Sequence, residues 1–180
     1  MKARRTLGVG MLSVSLALAG VALSAPAAWA FSGFAFIKGA RQGLIQGDVT
    51  SKIASGAINL VAIGAEALLP VDPLTGKVTG TLQIKPFQIV KNPDKATVKL
   101  LNALLTSETL TVEIRLFRPD VTGVDVLFHT IQLQNAVISD FNLSGNPNGT
   151  VPLNEVVSFT YQTISFTDLN GNVSILSISP

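Results

Sequence analysis

Residues 92–105 read Asn-Pro-Asp-Lys-Ala-Thr-Val-Lys-Leu-Leu-Asn-Ala-Leu-Leu, and this stretch predicts the only convincing helix after residue 30. Asn92 suits the helix N-cap, and Pro93 suits the first helical position, where its missing N–H costs no hydrogen bond. Asp94 would lie in the first turn, where a negative charge complements the helix dipole. Apolar side chains recur at helical spacing and predict a broad buried stripe. Lys95, Lys99 and Asn102 would face water. The stripe comprises Ala96, Val98, Leu100, Leu101, Leu104 and Leu105.

Extended segments flank the predicted helix on both sides. Residues 109–117 alternate in the period of a strand, with apolar side chains at every even position from Leu110 to Leu116. Residues 81–90 also alternate but change phase across Pro86, which predicts a bulge or an edge strand because proline cannot donate to a ladder. One amphipathic helix among strands predicts a β sheet or barrel with the helix packed against it.

The remaining chain after residue 30 alternates between short strands and turn sequences. Residues 57–67 would also permit a helix, but their β-branched content favours a strand. Asn170-Gly171 is a strong hairpin signal between the last two strands. With the two segments beside the helix this makes about eight strands and one flanking helix, which is typical of a compact antiparallel barrel or two-sheet sandwich. The further strands are predicted at 34–37, 57–67, 126–134, 136–143, 156–167 and 172–178. Loops or turns are predicted at 38–48, 119–123 and 144–152, and a loop or a long hairpin end at 69–80.

Residues 1–30 have the layout of a secretory signal peptide. A basic start precedes an apolar run over residues 7–22, and the segment ends in Ala28-Trp29-Ala30, a small-x-small pattern. We therefore predict cleavage after Ala30 and a mature domain over residues 31–180, secreted or periplasmic. An uncleaved membrane anchor is the alternative, but the apolar run is shorter than the ~20 residues that a spanning helix needs.

Composition sets further bounds on the function. The chain has 180 residues, enough for one domain, and its 47% apolar and 13% charged residues favour a packed core over disorder. The lack of cysteine excludes disulfides, thiol nucleophiles and thiolate metal sites. Three of the 13 basic residues and none of the 11 acidic residues lie in residues 1–30, so residues 31–180 carry a formal charge of −1. The basic balance of the whole chain therefore gives no argument for nucleic-acid binding.

No side chain is predicted to carry catalysis. His129 is the only histidine, and it shares a strand face with apolar residues without partners at a recognised spacing, so we expect a structural or interface histidine. The carboxylates are scattered and are expected to be solvated. Lys91, Lys95 and Lys99 form a small basic run, also expected to be solvated. We predict no enzymatic activity, no metal and no cofactor.

Seven segments, taken in order, form a pattern that covers nearly the whole chain after residue 30. They are Phe36-Ile-Lys-Gly39, Leu82-Gln-Ile-Lys-Pro-Phe-Gln-Ile-Val-Lys91, Asp94-Lys-Ala-Thr97, Leu100 to Leu105, Glu108 to Phe117, Ile131-Gln-Leu-Gln-Asn-Ala-Val-Ile138 and Pro152-Leu-Asn-Glu-Val-Val-Ser-Phe-Thr-Tyr-Gln-Thr-Ile164. The ordered set resembles the haemolysin-coregulated (Hcp) tube proteins of type VI secretion.

The resemblance implies a small two-sheet β barrel with one flanking helix and a homohexameric ring with a central pore. It also implies that rings stack into a tube that carries effector cargo and is tipped by a spike protein, with no catalytic residues. The long hairpin loop, here about residues 69–80, would reach the neighbouring ring. Members of that family have no signal peptide, and this chain departs from them there. We therefore predict an exported, non-catalytic ring protein; the alternative is an exported monomeric binding module of the same fold.

Overall fold

A computed structural model describes residues 31–178, and the predicted signal peptide lies outside this range. Within it the chain forms eleven strands and one helix, in the order β1 (Ser32–Gly39), β2 (Gly43–Ile45), β3 (Ile58–Gly64), β4 (Ala67–Leu68), β5 (Gln83–Ile84), β6 (Phe87–Lys91), α1 (Thr97–Leu105), β7 (Leu110–Pro119), β8 (Asp125–Ser144), β9 (Asn154–Thr160), β10 (Thr163–Asp168) and β11 (Val173–Ser177).

Six antiparallel strands close a barrel. They follow one another in the order β8, β7, β1, β3, β6 and β9, and β9 pairs back onto the second half of β8. The hairpin of β10 and β11 extends the sheet from the first half of β8. The predicted mainly β fold with one flanking helix is confirmed.

The core lies inside the barrel, and β7 shows why the sequence pattern predicted it. The even-numbered side chains from Leu110 to Leu116 are all buried, as the alternation predicted. They meet fully buried side chains of the neighbouring strands, including Ile37 and Leu133. Each such aliphatic side chain contributes about 1.5–3 kcal/mol when it leaves water.

One long strand replaces two predicted ones. The segments predicted at 126–134 and 136–143 form the single strand β8, which bends at Asn135, whose φ is 49°. Conversely, the strand predicted at 156–167 is divided into β9 and β10 at Tyr161 and Gln162. The Asn135 Nδ2 group donates a hydrogen bond of 2.9 Å to Gln162 Oε1, so the two breaks lie opposite each other. β8 therefore pairs with β10 before this break and with β9 after it.

Residues 69–80, predicted as a loop or a long hairpin end, form the outer part of a projecting hairpin, which we call the arm (residues 65–86). β4 and β5 pair only with each other, and a bridge between Val71 and Val78 continues the hairpin towards its tip. Pro86 separates β5 from β6, which accounts for the predicted change of phase. The strand predicted at 57–67 is confirmed for β3.

The helix begins later than predicted. α1 starts at Thr97, with Ala96 at the N-cap position and no side-chain cap, so the roles predicted for Asn92 and Pro93 are wrong. Asp94 precedes the helix in a turn and accepts a hydrogen bond of 2.9 Å from the Ala96 N–H. The buried face is also narrower than predicted, because Val98 and Leu105 are each 76% exposed. Ala96, Leu100 and Ala103 pack on the barrel.

Candidate assembly surfaces

No group of potential metal ligands lies together among the described residues. Across residues 31–178, no three His, Asp or Glu side chains are close enough to hold a metal ion. His129 lies on β8, 6.3 Å from the Phe128 ring and 6.2 Å from the Phe166 ring, and opposite Asp168 on β10. The pKa of Asp168 is lowered, chiefly by the hydrogen bond from the Asn172 side chain and least by the charge of His129. This is a packed histidine beside a hairpin turn.

A buried ionic group contradicts the prediction that Lys91 is solvated. Lys91 and Glu155 are both fully buried and form an ion pair. Lys91 Nζ also lies 2.8 Å from Asp94 Oδ1, and the Thr97 hydroxyl donates 2.7 Å to Glu155 Oε1. Lys95 and Lys99 are exposed, as predicted. The group joins β6 and β9 to the start of α1 and so fixes the helix on the barrel.

Glu108 is a second buried carboxylate, so the prediction that the carboxylates are solvated is wrong for Glu108 as well as for Glu155. It accepts hydrogen bonds from Gln42 Nε2 at 2.7 Å, from the Gln42 N–H at 2.8 Å and from the Arg41 N–H at 2.5 Å. These bonds, led by the Gln42 side chain, lower the pKa of Glu108 below its ordinary value. They hold the β1–β2 turn against the segment that follows α1. Gly39 lets the carboxylate approach, since a Cβ there would lie 2.5 Å from Glu108 Oε1.

The arm presents apolar side chains to solvent on an ordered backbone. Its tip is closed by hydrogen bonds from the Asp72 N–H to the Lys77 carbonyl at 2.8 Å and from the Leu74 N–H to Asp72 Oδ1 at 2.8 Å. Leu74 at the tip is 94% exposed. The arm is therefore a preformed apolar projection; its other exposed large side chains are Leu68, Leu69, Val71, Val78 and Leu82.

The outer face of α1 is a second exposed apolar surface. Val98, Leu101 and Leu105 follow one another at spacings of three and four residues, so they form one stripe directed away from the barrel. Soluble monomers rarely expose several such patches, which often mark contact sites. Within the described part of the chain, no helix is long and apolar enough to cross a membrane.

Comparison with known proteins identifies the family. A family model described as "Type VI secretion system effector, Hcp" matches residues 34–167, most of the chain. The chain belongs to the Hcp family. The "Major exported protein" of Pseudomonas aeruginosa is 32% identical over 146 residues, which is 73% of this chain and 85% of that protein. The resemblance seen in the sequence is confirmed at the level of the family.

Solved Hcp structures share the fold over nearly their whole length. The Hcp1 protein from E. coli is 25% identical, with a TM-score of 0.73, and the alignment covers 82% of this chain and 99% of that one. The "Secreted protein Hcp3" from Pseudomonas aeruginosa is also 25% identical, with a TM-score of 0.69 over 84% of this chain and 100% of that one. The barrel with its flanking helix is thus an Hcp fold.

Proposed function

We propose that this protein is a non-catalytic tube subunit of Hcp type, which forms homohexameric rings that stack. The match of residues 34–167 to the Hcp family carries the proposal. A ring of identical subunits needs a heterologous interface repeated around the axis, and stacking needs a second surface on the ring faces. Effector cargo in the pore and a spike protein at the tip would be its partners, by analogy with the family.

The exposed apolar surfaces support assembly over a monomeric role. The arm carries six large apolar side chains on a backbone that is already ordered, so little conformational entropy is lost when it docks. Leu74 at the tip of the arm is the most exposed of these side chains. We infer that the arm reaches the adjacent ring of the stack.

Negative-stain microscopy of residues 31–180 tests the proposal directly. Six-fold rings with a central pore, and a hexamer mass by light scattering, are the expected results. A monodisperse monomer at micromolar concentration would instead favour the exported binding module of the same fold. A structural role also predicts that the protein catalyses no reaction, so there is no turnover for a point substitution to abolish.

We also propose that residues 1–30 are a signal peptide removed after Ala30. β1 begins at Ser32, so this cleavage leaves only Phe31 before the first strand and retains every strand of the barrel. Phe31 itself is exposed, so the new amino terminus would not be buried. N-terminal sequencing of the exported protein should begin at Phe31; a sequence that begins within residues 1–20 would contradict the proposal.

A further inference from the structure

An unprotected sheet edge runs along β11. This strand ends the sheet and pairs only with β10 among the described residues, so one side of its backbone has no ladder partner. Ile175 is 65% exposed on its outward face. Proteins protect such edges with charges, prolines or bulges, because a free edge pairs readily with another chain. Residues 169–178 contain no charged residue and no proline, and the ladder with β10 contains no bulge.

A second uncharged edge lies on β3. This strand pairs with β1 only at Ile58–Leu60, whereas its pairing with β6 continues to Gly64. From Val61 to Gly64 the side of the backbone that faces away from β6 therefore has no ladder partner within residues 31–178. Val61 is 54% exposed, and residues 53–65 contain no charged residue and no proline.

The two edges differ in sequence and lie on separate strands of one sheet, with β10, β8, β7 and β1 between them. If the β11 edge of one copy pairs with the β3 edge of another, each copy contacts one neighbour through β11 and a second neighbour through β3. The contact is heterologous and closes into a ring when the rotation per copy fits. Pairing of β11 with another β11 would end at a dimer. Both edges lack charge, as the centres of protein interfaces do, and the free N–H and C=O groups supply the hydrogen bonds of strand addition.

We propose that β11 of one copy pairs with Val61–Gly64 of the next copy, so that the sheet continues across each junction of the ring. This inference rests on the proposed function as a ring subunit and names the two strands that meet. The partner is a second copy of this chain.

Engineered disulfides test the contact, because the chain has no cysteine of its own. Ala62→Cys is combined in turn with Val173→Cys, Ile175→Cys and Ser177→Cys, which sample the possible registers on the outward face of β11. After oxidation of assembled residues 31–180, at least one pair should give a covalent ladder from dimer to hexamer on a non-reducing gel. Ile175→Cys alone should give none, and Ala62→Cys with Val121→Cys, in the exposed turn before β8, should give none.

A substitution gives an independent measurement. Ile175→Lys places an ammonium on an exposed side chain of the free edge, so folding is retained, but burial of that charge in the contact should weaken ring assembly about tenfold or more. The inference is overturned if rings are visible but no cysteine pair gives the ladder, if Ile175→Cys alone gives dimers, or if Ile175→Lys assembles like the parent protein. Those results leave the proposed function standing, whereas an absence of rings from the parent protein overturns both.

Discussion

Lys91 at the end of β6 and Glu155 near the start of β9 form an ion pair with both side chains fully buried. The charges are shared with two further groups at the start of α1, because Lys91 Nζ also lies 3.2 Å from the Thr97 hydroxyl and 2.8 Å from Asp94 Oδ1. In the described part of the chain, every buried side-chain nitrogen or oxygen has a hydrogen-bond partner. The helix is thus attached to the barrel by a fully satisfied polar group as well as by apolar packing.

Removal of one partner from this group should be costly. We expect Glu155→Leu to lower the free energy of unfolding by about 3–5 kcal/mol, because it leaves the Lys91 charge buried beside Asp94 alone. The double variant with Lys91→Met should recover much of the loss. Urea denaturation at a fixed protein concentration measures both effects, since assembly itself adds stability by mass action.

The matched control is the exposed pair of Lys85 and Glu66, whose side chains are 2.6 Å apart. Lys85→Met should cost no more than about 1 kcal/mol, because water already solvates and screens these charges. If Glu155→Leu were as mild as Lys85→Met, the buried group would not hold the helix as we describe.

The sequence predicted features that depend on local periodicity and missed those that depend on distant partners. Even-numbered side chains of β7 could be placed in the core because strand alternation is visible within ten residues. Lysine is almost never fully buried without a partner. Asp94 is near Lys91 in the sequence, but the fully buried partner Glu155 is 64 residues away, so nothing local indicated that Lys91 would be enclosed. The same holds for Glu108, whose donors come from Arg41 and Gln42.

Helix periodicity predicted α1 but not which part of its apolar arc would meet the barrel. Leu100 and Ala103 pack inward, whereas Val98 and Leu105 remain exposed because the barrel covers only a narrow arc. Residues 69–80 of the arm were predicted as a loop or a long hairpin end from their prolines and glycines. The pattern alone could not assign a role to the arm's exposed apolar side chains, because local periodicity carries no information about contacts with a neighbouring copy.

Glu108 should make stability depend on pH in a defined direction. Its pKa is lowered from the ordinary value of 4.5 by the Gln42 side chain and by backbone N–H groups, so its contribution to stability is complete above about pH 4.5 and is lost as the pH falls through the lowered pKa. Glu108→Gln lacks this contribution at every pH. We expect the parent protein to be more stable than Glu108→Gln at pH 7 and the difference to shrink progressively below pH 4.5.

Urea unfolding of both proteins at a series of pH values checks this prediction. The turn carboxylates Asp72, Asp120 and Asp168 also have lowered pKa values, but they are present in both proteins and cancel in the difference. A difference that stays constant down to pH 3 would show that the Glu108 carboxylate is not held by its donors.

Gly47 should be intolerant of even the smallest side chain. A Cβ at this position would lie 2.3 Å from the Ala57 carbonyl oxygen and 2.5 Å from the Ile58 Cα, and both are backbone atoms that cannot move alone. We expect Gly47→Ala to cost about 1–3 kcal/mol by overpacking, measured by thermal or urea unfolding. Gly33→Ala, outside the proposed contact between copies, is the control, because its Cβ would meet nothing closer than Leu60 Cβ and Leu116 Cδ2 at 3.4 Å. Equal stability of the two variants would contradict this packing.

Leu74 should govern stacking without affecting the ring. It stands 94% exposed at the tip of the arm, so Leu74→Asp removes no contact within the subunit and should leave the unfolding transition unchanged. A carboxylate in an apolar ring-to-ring contact should reduce stack formation about tenfold or more, which corresponds to about 1.4 kcal/mol per junction. Electron microscopy at concentrations where the parent protein stacks would then show single rings. Val121→Asp, in the equally exposed turn before β8, should stack normally, and long stacks of Leu74→Asp would remove the arm from the contact.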